Sequence, residues 1–140
     1  MTTLKEFSEG MDRSLIATGS LMLALAVVAG AFGAHALQGL LDATYQHTYQ
    51  TAVTYHFYHA FALLICGVIS PFINFKRLQW AVRFFKAGLI LFCGSLYALS
   101  ILRAIGLTSF KWLGMITPFG GLSFMIAWVL VAIAFIKDRA

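Results

Sequence analysis

The sequence predicts an all-α membrane protein: a four-transmembrane-helix up-down bundle with both termini cytoplasmic. Three observations predict it. The 140-residue chain is 61% hydrophobic and 11% charged, with a mean hydropathy of +0.86, whereas soluble domains sit nearer half apolar and a quarter charged. A chain this short could not bury that excess, because small domains leave much of their surface in water. Its apolar residues fall into four stretches near the ~20 residues that a helix needs to cross the hydrocarbon core. Its lysines and arginines fall mostly on one side of the resulting topology. The length sets an expectation of one domain spanning residues 1–140.

The first stretch covers residues 14–37 and holds no charge other than that of His35 near its end. A secretory signal is the competing reading, with Ala34-His35-Ala36 as a small-x-small site. Glu6, Glu9 and Asp12 argue against it, since signal n-regions are positive. The apolar run also exceeds a signal core of about 7–15 residues. Ala26, Gly30 and Ala34, with Ala29 and Gly33 beside them, form a small-residue face that would let another helix approach closely.

The second stretch, residues 51–75, is solidly apolar only from Ala60 onward. Before it lies a polar segment with Asp42, Tyr45, Gln46, His47, Tyr49 and Gln50, then Tyr55, His56, Tyr58 and His59. A helix starting near Asp42 would place Asp42, Gln46, Tyr49, Val53, His56, His59 or Ala60, and Leu63 along one face, where His56 and His59, three apart, can meet. The third stretch covers 84–102 and stops at Arg103; Gly88, Gly94 and Ser95 supply its small residues. The fourth covers 117–136 and stops at Lys137-Asp138-Arg139. Thr117-Pro118 suits a helix start, with threonine as N-cap and proline at the first helical position. The competing reading starts the helix near Phe110 and kinks it at Pro118. Gly19-Ser20-Leu21 and Gly94-Ser95-Leu96 correspond weakly, as a duplicated hairpin would.

Orientation follows from the basic residues. Lys76, Arg77, Arg83 and Lys86 lie in the middle connection without an acid; Lys5, Arg13, Lys137 and Arg139 flank the ends. That places eight on one side and two, Arg103 and Lys111, on the other. The middle connection would therefore lie at the cytoplasmic headgroups, with Lys76, Arg77, Arg83 and Lys86 as anchors. The net charge of +5 suits membrane lipids as partners; no aromatic-plus-basic pattern for nucleic acid occurs.

Enzymatic motifs are missing from the sequence. It has no P-loop, no dinucleotide fingerprint and no nucleophile triad, and Asp42 is the only carboxylate between Arg13 and Asp138. Cys66 and Cys93 sit inside apolar runs, without the spacing of a metal or disulfide framework. No cofactor and no metal site is expected. The notable group is His59, an ionisable residue within an apolar run. It would either hydrogen-bond across helices or handle a ligand or proton. Haem or metal ligation by His35, His56, His59 and Asp42 is a minor alternative.

Four motifs in order carry a resemblance: Gly30-Ala31-Phe32-Gly33-Ala34-His35; Tyr55 with His59-Ala60; Gly94-Ser95-Leu96-Tyr97; and Thr117-Pro118-Phe119-Gly120-Gly121-Leu122-Ser123-Phe124 with Trp128. Over nearly the whole chain after Ser14, the sequence resembles the YgdD-type small bacterial inner-membrane proteins and their eukaryotic transmembrane-protein-256-like relatives. The resemblance implies a four-helix bundle in the inner membrane and implies no activity. It directs attention to His35, Tyr55 and His59, and away from His56, where this sequence departs from the commoner pattern.

Together these readings place one pocket on the outward side, built from His35, Tyr55, His59, Tyr97, Thr117 and Ser123 with Trp128 at its edge. The first functional expectation is a non-enzymatic bundle with a structural role, associating with itself or a larger membrane complex. The alternative is a small-molecule or lipid binding or transport module that uses this pocket.

Overall fold

Three acid or amide side chains open the long helices. Asp12 accepts a hydrogen bond from the Leu15 N–H at 3.0 Å, Asp42 from Tyr45 N–H at 3.0 Å, and Asn74 from Arg77 N–H at 3.3 Å. Each satisfies a donor that the first helical turn leaves without a partner. The computed structural model describes residues 4–137; Asp138 and Arg139, assigned to a charged cytoplasmic tail by sequence, lie outside the described residues. A short helix α1 (Leu4–Gly10) precedes α2 (Arg13–His35) and α3 (Ala43–Ile69). Next come α4 (Phe75–Gly88), a π-helical turn (Leu89–Gly94) and α5 (Ser95–Ala104), which run on as one helix. A 3₁₀ turn (Lys111–Met115) leads into α6 (Thr117–Lys137). No strand occurs among the described residues. Four helical stretches, Arg13–His35, Ala43–Phe72, Lys76–Ala104 and Lys111–Ile136, are long and apolar enough to cross a membrane.

The chain runs up and down, so the two ends of the bundle differ. Residues 36–42 and 105–110 lie at one end, where Arg103 meets Asp42 at 3.7 Å. At the other end Asp12 N–H bonds the Gly67 carbonyl at 3.0 Å and Ser70 Oγ at 2.9 Å. α2 keeps within two residues of the stretch read from sequence, α3 begins eight residues ahead of its stretch and ends six short of it, and the third helix starts at Phe75, nine residues before its expected start, so the basic middle connection is helical. α3 begins at Ala43 because Asp42 caps it, and the polar segment 43–50 is its first two turns.

Close approach of helices is set at glycines, but not at the expected spacing. The buried residues of α2 are Gly19, Ala26 and Gly33, seven apart, while Ala34 is exposed and Gly30 half-buried. A Cβ on Gly19 would lie 2.5 Å from Leu64 N, and one on Gly33 would strike the Tyr49 ring. A seven-residue repeat is the seam of two helices that stay side by side along their length. α2 packs on α3 and turns its other sides outward, with Leu21, Leu25 and Val28 exposed. On the third helix Gly88 meets the Phe124 ring, and Gly120 of α6 sits against the Phe92 backbone. Gly94 is exposed, so it does not match Gly19 as a duplicated hairpin would require.

The π turn shifts the third helix by one residue. Leu78 and Phe85 are buried seven apart, and an unbroken helix would next bury Phe92 and Leu99; Cys93 and Ser100 are buried instead. An i→i+5 turn accommodates one extra residue in this way. α5 ends in a Schellman motif: Leu107 N–H reaches the Leu102 carbonyl and Gly106 N–H the Arg103 carbonyl, with Gly106 at φ +82.

The fourth helix corrects the sequence reading by one position. Its first bonds run from Phe119 and Gly120 N–H to the Ile116 carbonyl, at 3.1 and 3.4 Å, so Ile116 rather than Thr117 is the capping residue. The Thr117 hydroxyl instead meets the Ser95 hydroxyl at 2.8 Å, tying α6 to the third helix. The backbone ahead of Pro118 is a 3₁₀ turn, not an α-helix continuing through a kink.

Candidate functional site

Two faces of α3 carry its polar residues. Tyr49 and Val53 face α2, whereas Tyr55 and His59 lie on average about 120° further round at 100° per residue and face α6, so His59 does not share the face expected for it with Tyr49 and Val53. His59 is 4% exposed and its ring stacks on Phe124, with centroids 3.4 Å apart and planes at 8°. Its Nδ1 lies 2.8 Å from the Tyr55 carbonyl oxygen, which can only accept, so Nδ1 carries the proton. That leaves Nε2 as an acceptor, and the Trp128 indole N–H donates to it at 3.4 Å. Both ring nitrogens are therefore engaged by the protein itself. The Phe85 ring meets Trp128 edge-on at 5.0 Å and closes the far side.

Beside this histidine a cavity of about 720 Å³ opens between α3 and α6. Tyr55, Tyr58 and His59 line one wall, Phe124, Met125 and Trp128 the other, and Phe92 from the π turn forms the back. Tyr58 and Met125 are exposed at its mouth. Its size falls within the ~300–1,000 Å³ of small-molecule sites, which are mostly apolar with a few polar groups. The Tyr55 and Phe92 rings lie 4.6 Å apart, tilted by 30°.

The six residues expected to converge do not form one pocket. Tyr55 and His59 do meet. Ser123 donates to the Phe119 carbonyl of its own helix at 3.0 Å, and Thr117 is taken by Ser95. Tyr97 packs on Tyr49 with centroids 5.1 Å apart, and its hydroxyl lies 3.2 Å from His56 Nδ1. This second polar focus includes Tyr49 Oη donating to the Ala29 carbonyl at 2.9 Å and Gln46 to the Gly33 carbonyl at 3.3 Å. It ties α2, α3 and α5 together. His35 is exposed at the end of α2 and is not among the residues that line the cavity. The physical reason is that α2 lies on the face of α3 that turns away from α6.

His56, set aside by the family resemblance, is thus an interhelical partner. Phe92 and Met125 were not among the expected site residues, and Phe124 stood only within the fourth motif, because only helix rotation shows which side chain faces a gap. Among the described residues no three of His, Cys, Asp and Glu gather as a metal-binding group. Of the basic residues of α4, Lys76, Arg83 and Lys86 are exposed and Arg77 is half-buried, with the Arg83 guanidinium 4.7 Å over the Trp80 ring.

Comparison with known proteins gives the family. Residues 29–121 match the family model described as a protein of unknown function, DUF423. The chain belongs to the DUF423 family. A UPF0382 membrane protein of Staphylococcus aureus is 45% identical over 122 residues, covering 87% of this chain and 94% of that protein. The UPF0382 membrane protein YwdK of Bacillus subtilis is 37% identical over 123 residues, covering 87% and 95%. A relative in Staphylococcus epidermidis, also named a UPF0382 membrane protein, is 40% identical over 122 residues. No solved structure matches the chain. The DUF423 residues include Gly33 of the α2–α3 seam but not Gly19 or Ala26, and run through the π turn to Gly121 at the start of α6, short of Trp128. The protein is an integral membrane protein of a small bacterial family that carries no enzymatic name.

Proposed function

We propose that this DUF423 protein is a non-enzymatic four-helix unit of the bacterial inner membrane, acting as a single domain with a structural or complex-associated role. It has both termini in the cytoplasm and Lys76, Arg77, Arg83 and Lys86 near the inner headgroups, as the distribution of basic residues indicates. We place it with the YgdD-type proteins and their transmembrane-protein-256-like relatives on the four motifs given above. The carrying observation is the closure of His59: one ring nitrogen is bonded to Tyr55 and the other to Trp128. A histidine so held joins α3 to α6 and has no nitrogen left for a metal or a substrate. The outward sides of α2, with Leu21 and Val28 exposed, are available for association with another copy or a larger complex.

Thermal unfolding of His59→Ala in mild detergent tests this. A lowered midpoint with an unchanged set of co-purifying molecules supports the structural role. An unchanged midpoint with loss of a bound molecule refutes it.

A second reading is favoured by the cavity beside His59. Its aromatic walls and lateral opening suit an apolar molecule with a flat ring, or a lipid chain, entering from the bilayer. Native mass spectrometry after incubation with a short-chain quinone tests it: a one-to-one adduct lost in Tyr55→Ala is expected, and no adduct overturns it.

A further inference from the structure

A second cavity lies at the opposite end of the molecule, between the start of α2 and α4. It measures about 260 Å³ and its two ends differ in chemistry. Arg83, Lys86 and Gln79 of α4, with Ser14 of α2, form a polar rim; Leu78 and Val82 form an apolar floor. We infer that this cavity is a specific site for one anionic phospholipid, with the phosphate between Arg83 and Lys86 and the glycerol lying over Leu78 and Val82.

Charge and position carry the inference. Asp12 also lines the cavity, and its carboxylate is fixed by capping Leu15 N–H at 3.0 Å. One carboxylate beside two cations leaves a net single positive charge, which matches a phosphodiester monoanion better than a phosphate dianion. Arg83 is steadied by lying 4.7 Å over Trp80. Trp80 is exposed, and exposed tryptophans collect at headgroup level. The first turn of α2 is therefore flanked by charges at the depth where phosphates lie. Leu78 and Val82 are both buried, so the cavity has an apolar side beside its charges, as a lipid requires and a free phosphate does not. Basic pockets between transmembrane helices bind anionic headgroups elsewhere by the same chemistry.

The inference deepens the placement of these residues at the headgroups, proposed above, and its test does not depend on it. Native mass spectrometry of the full chain in mild detergent, titrated with phosphatidylglycerol, is expected to show one preferentially retained lipid. Phosphatidylcholine should be retained at least about tenfold less well, the loss expected of a charge-assisted contact to one anion. The double variant Arg83→Gln/Lys86→Gln should lose the preference, and Lys76→Gln, outside the cavity, should keep it. Gln79→Trp, on the exposed rim, fills the space while leaving every charge; it should also abolish retention. This second variant decides the matter if the double variant does not fold. Equal retention of both lipids, or equal loss in Lys76→Gln and the double variant, would mean diffuse attraction and overturn the site. Displacement of the lipid by millimolar inorganic phosphate would overturn the lipid assignment. Because detergent binding is indifferent to sidedness, orientation is judged separately by protease access to the termini.

Discussion

The indole N–H of Trp128 donates to Nε2 of His59, joining α6 to α3 across 3.4 Å. Interhelical hydrogen bonds in membranes contribute about 0.6 kcal/mol on average and ~1.7 at most, because the unfolded helices also find partners in lipid. Trp128→Phe keeps an aromatic ring beside Phe85 and removes the donor together with part of the indole's ring volume. It is expected to lower stability by about 0.5–1.5 kcal/mol, read by thermal or denaturant unfolding in detergent micelles. Pairing it with His59→Phe in a double-mutant cycle should give a coupling of similar size. Additive effects would show that the bond contributes nothing.

The α2–α3 seam makes a sharper forecast, because two glycines of one helix should respond oppositely to the same change. A Cβ on Gly19 would lie 2.5 Å from the Leu64 nitrogen and 2.8 Å from its Cα, so a whole helix would have to move. Overpacking of this kind costs about 1–3 kcal/mol. On Gly30 the nearest atom is Val53 Cγ1 at 3.5 Å, an ordinary contact. Gly30→Ala should therefore be neutral or gain up to ~1 kcal/mol from helix propensity, while Gly19→Ala loses stability. Melting temperatures of the two variants in one detergent decide it; a loss at Gly30 with none at Gly19 would mean that the seam follows Ala26, Gly30 and Ala34 after all.

That contrast also marks how far the sequence could be read. Four apolar runs, the polar start of α3 at Asp42 and the isolation of His59 are properties of single segments, and each was legible from composition or spacing. What a residue faces depends on the rotation of a second helix, which one segment does not encode. Hence Ala34 and Gly33 looked equivalent, though only Gly33 is buried. His35 looked like a partner of His59 because both lie toward the same end, yet α2 packs on the far side of α3. The π turn was invisible for a related reason: residues 89–94 are uniformly apolar apart from small Cys93 and Gly94, and no proline or charge marks the extra residue. His56 was set aside on the family pattern, and nothing in its own segment spoke for it, because its partner, Tyr97, lies 41 positions away.

The cysteines provide a probe of that packing. Cys66 and Cys93 are each 2% exposed and share one apolar core with Phe85 and Phe124. Maleimide labelling of the folded protein in mild detergent should be at least about tenfold slower than after transfer to dodecyl sulfate, since a core opening of only ~1.4 kcal/mol already gives that factor. Mass spectrometry of the labelled chain counts the adducts. Labelling at Cys93 alone in the folded state would show that the π turn opens without the rest of the bundle.

Asp42 holds two roles at once, and they can be separated. Its Oδ1 caps α3 at Tyr45 N–H, and its Oδ2 lies 3.7 Å from Arg103. The ion pair is largely exposed, at 40% and 49% for the two side chains, and such pairs contribute about 0–1 kcal/mol. Loss of an N-cap typically costs ~1 kcal/mol. Asp42→Asn retains a capping oxygen and removes the charge, so it should cost no more than a few tenths of a kcal/mol. Asp42→Ala removes both and should cost about 1 kcal/mol or slightly more. Arg103→Gln should match the asparagine variant rather than the alanine one, because the cap survives it. Denaturant unfolding of the three variants side by side orders them. If Asp42→Asn falls with Asp42→Ala, the charge pair, not the cap, holds the start of α3 against the end of α5, and the polar first turns of α3 would then be expected to loosen at high salt.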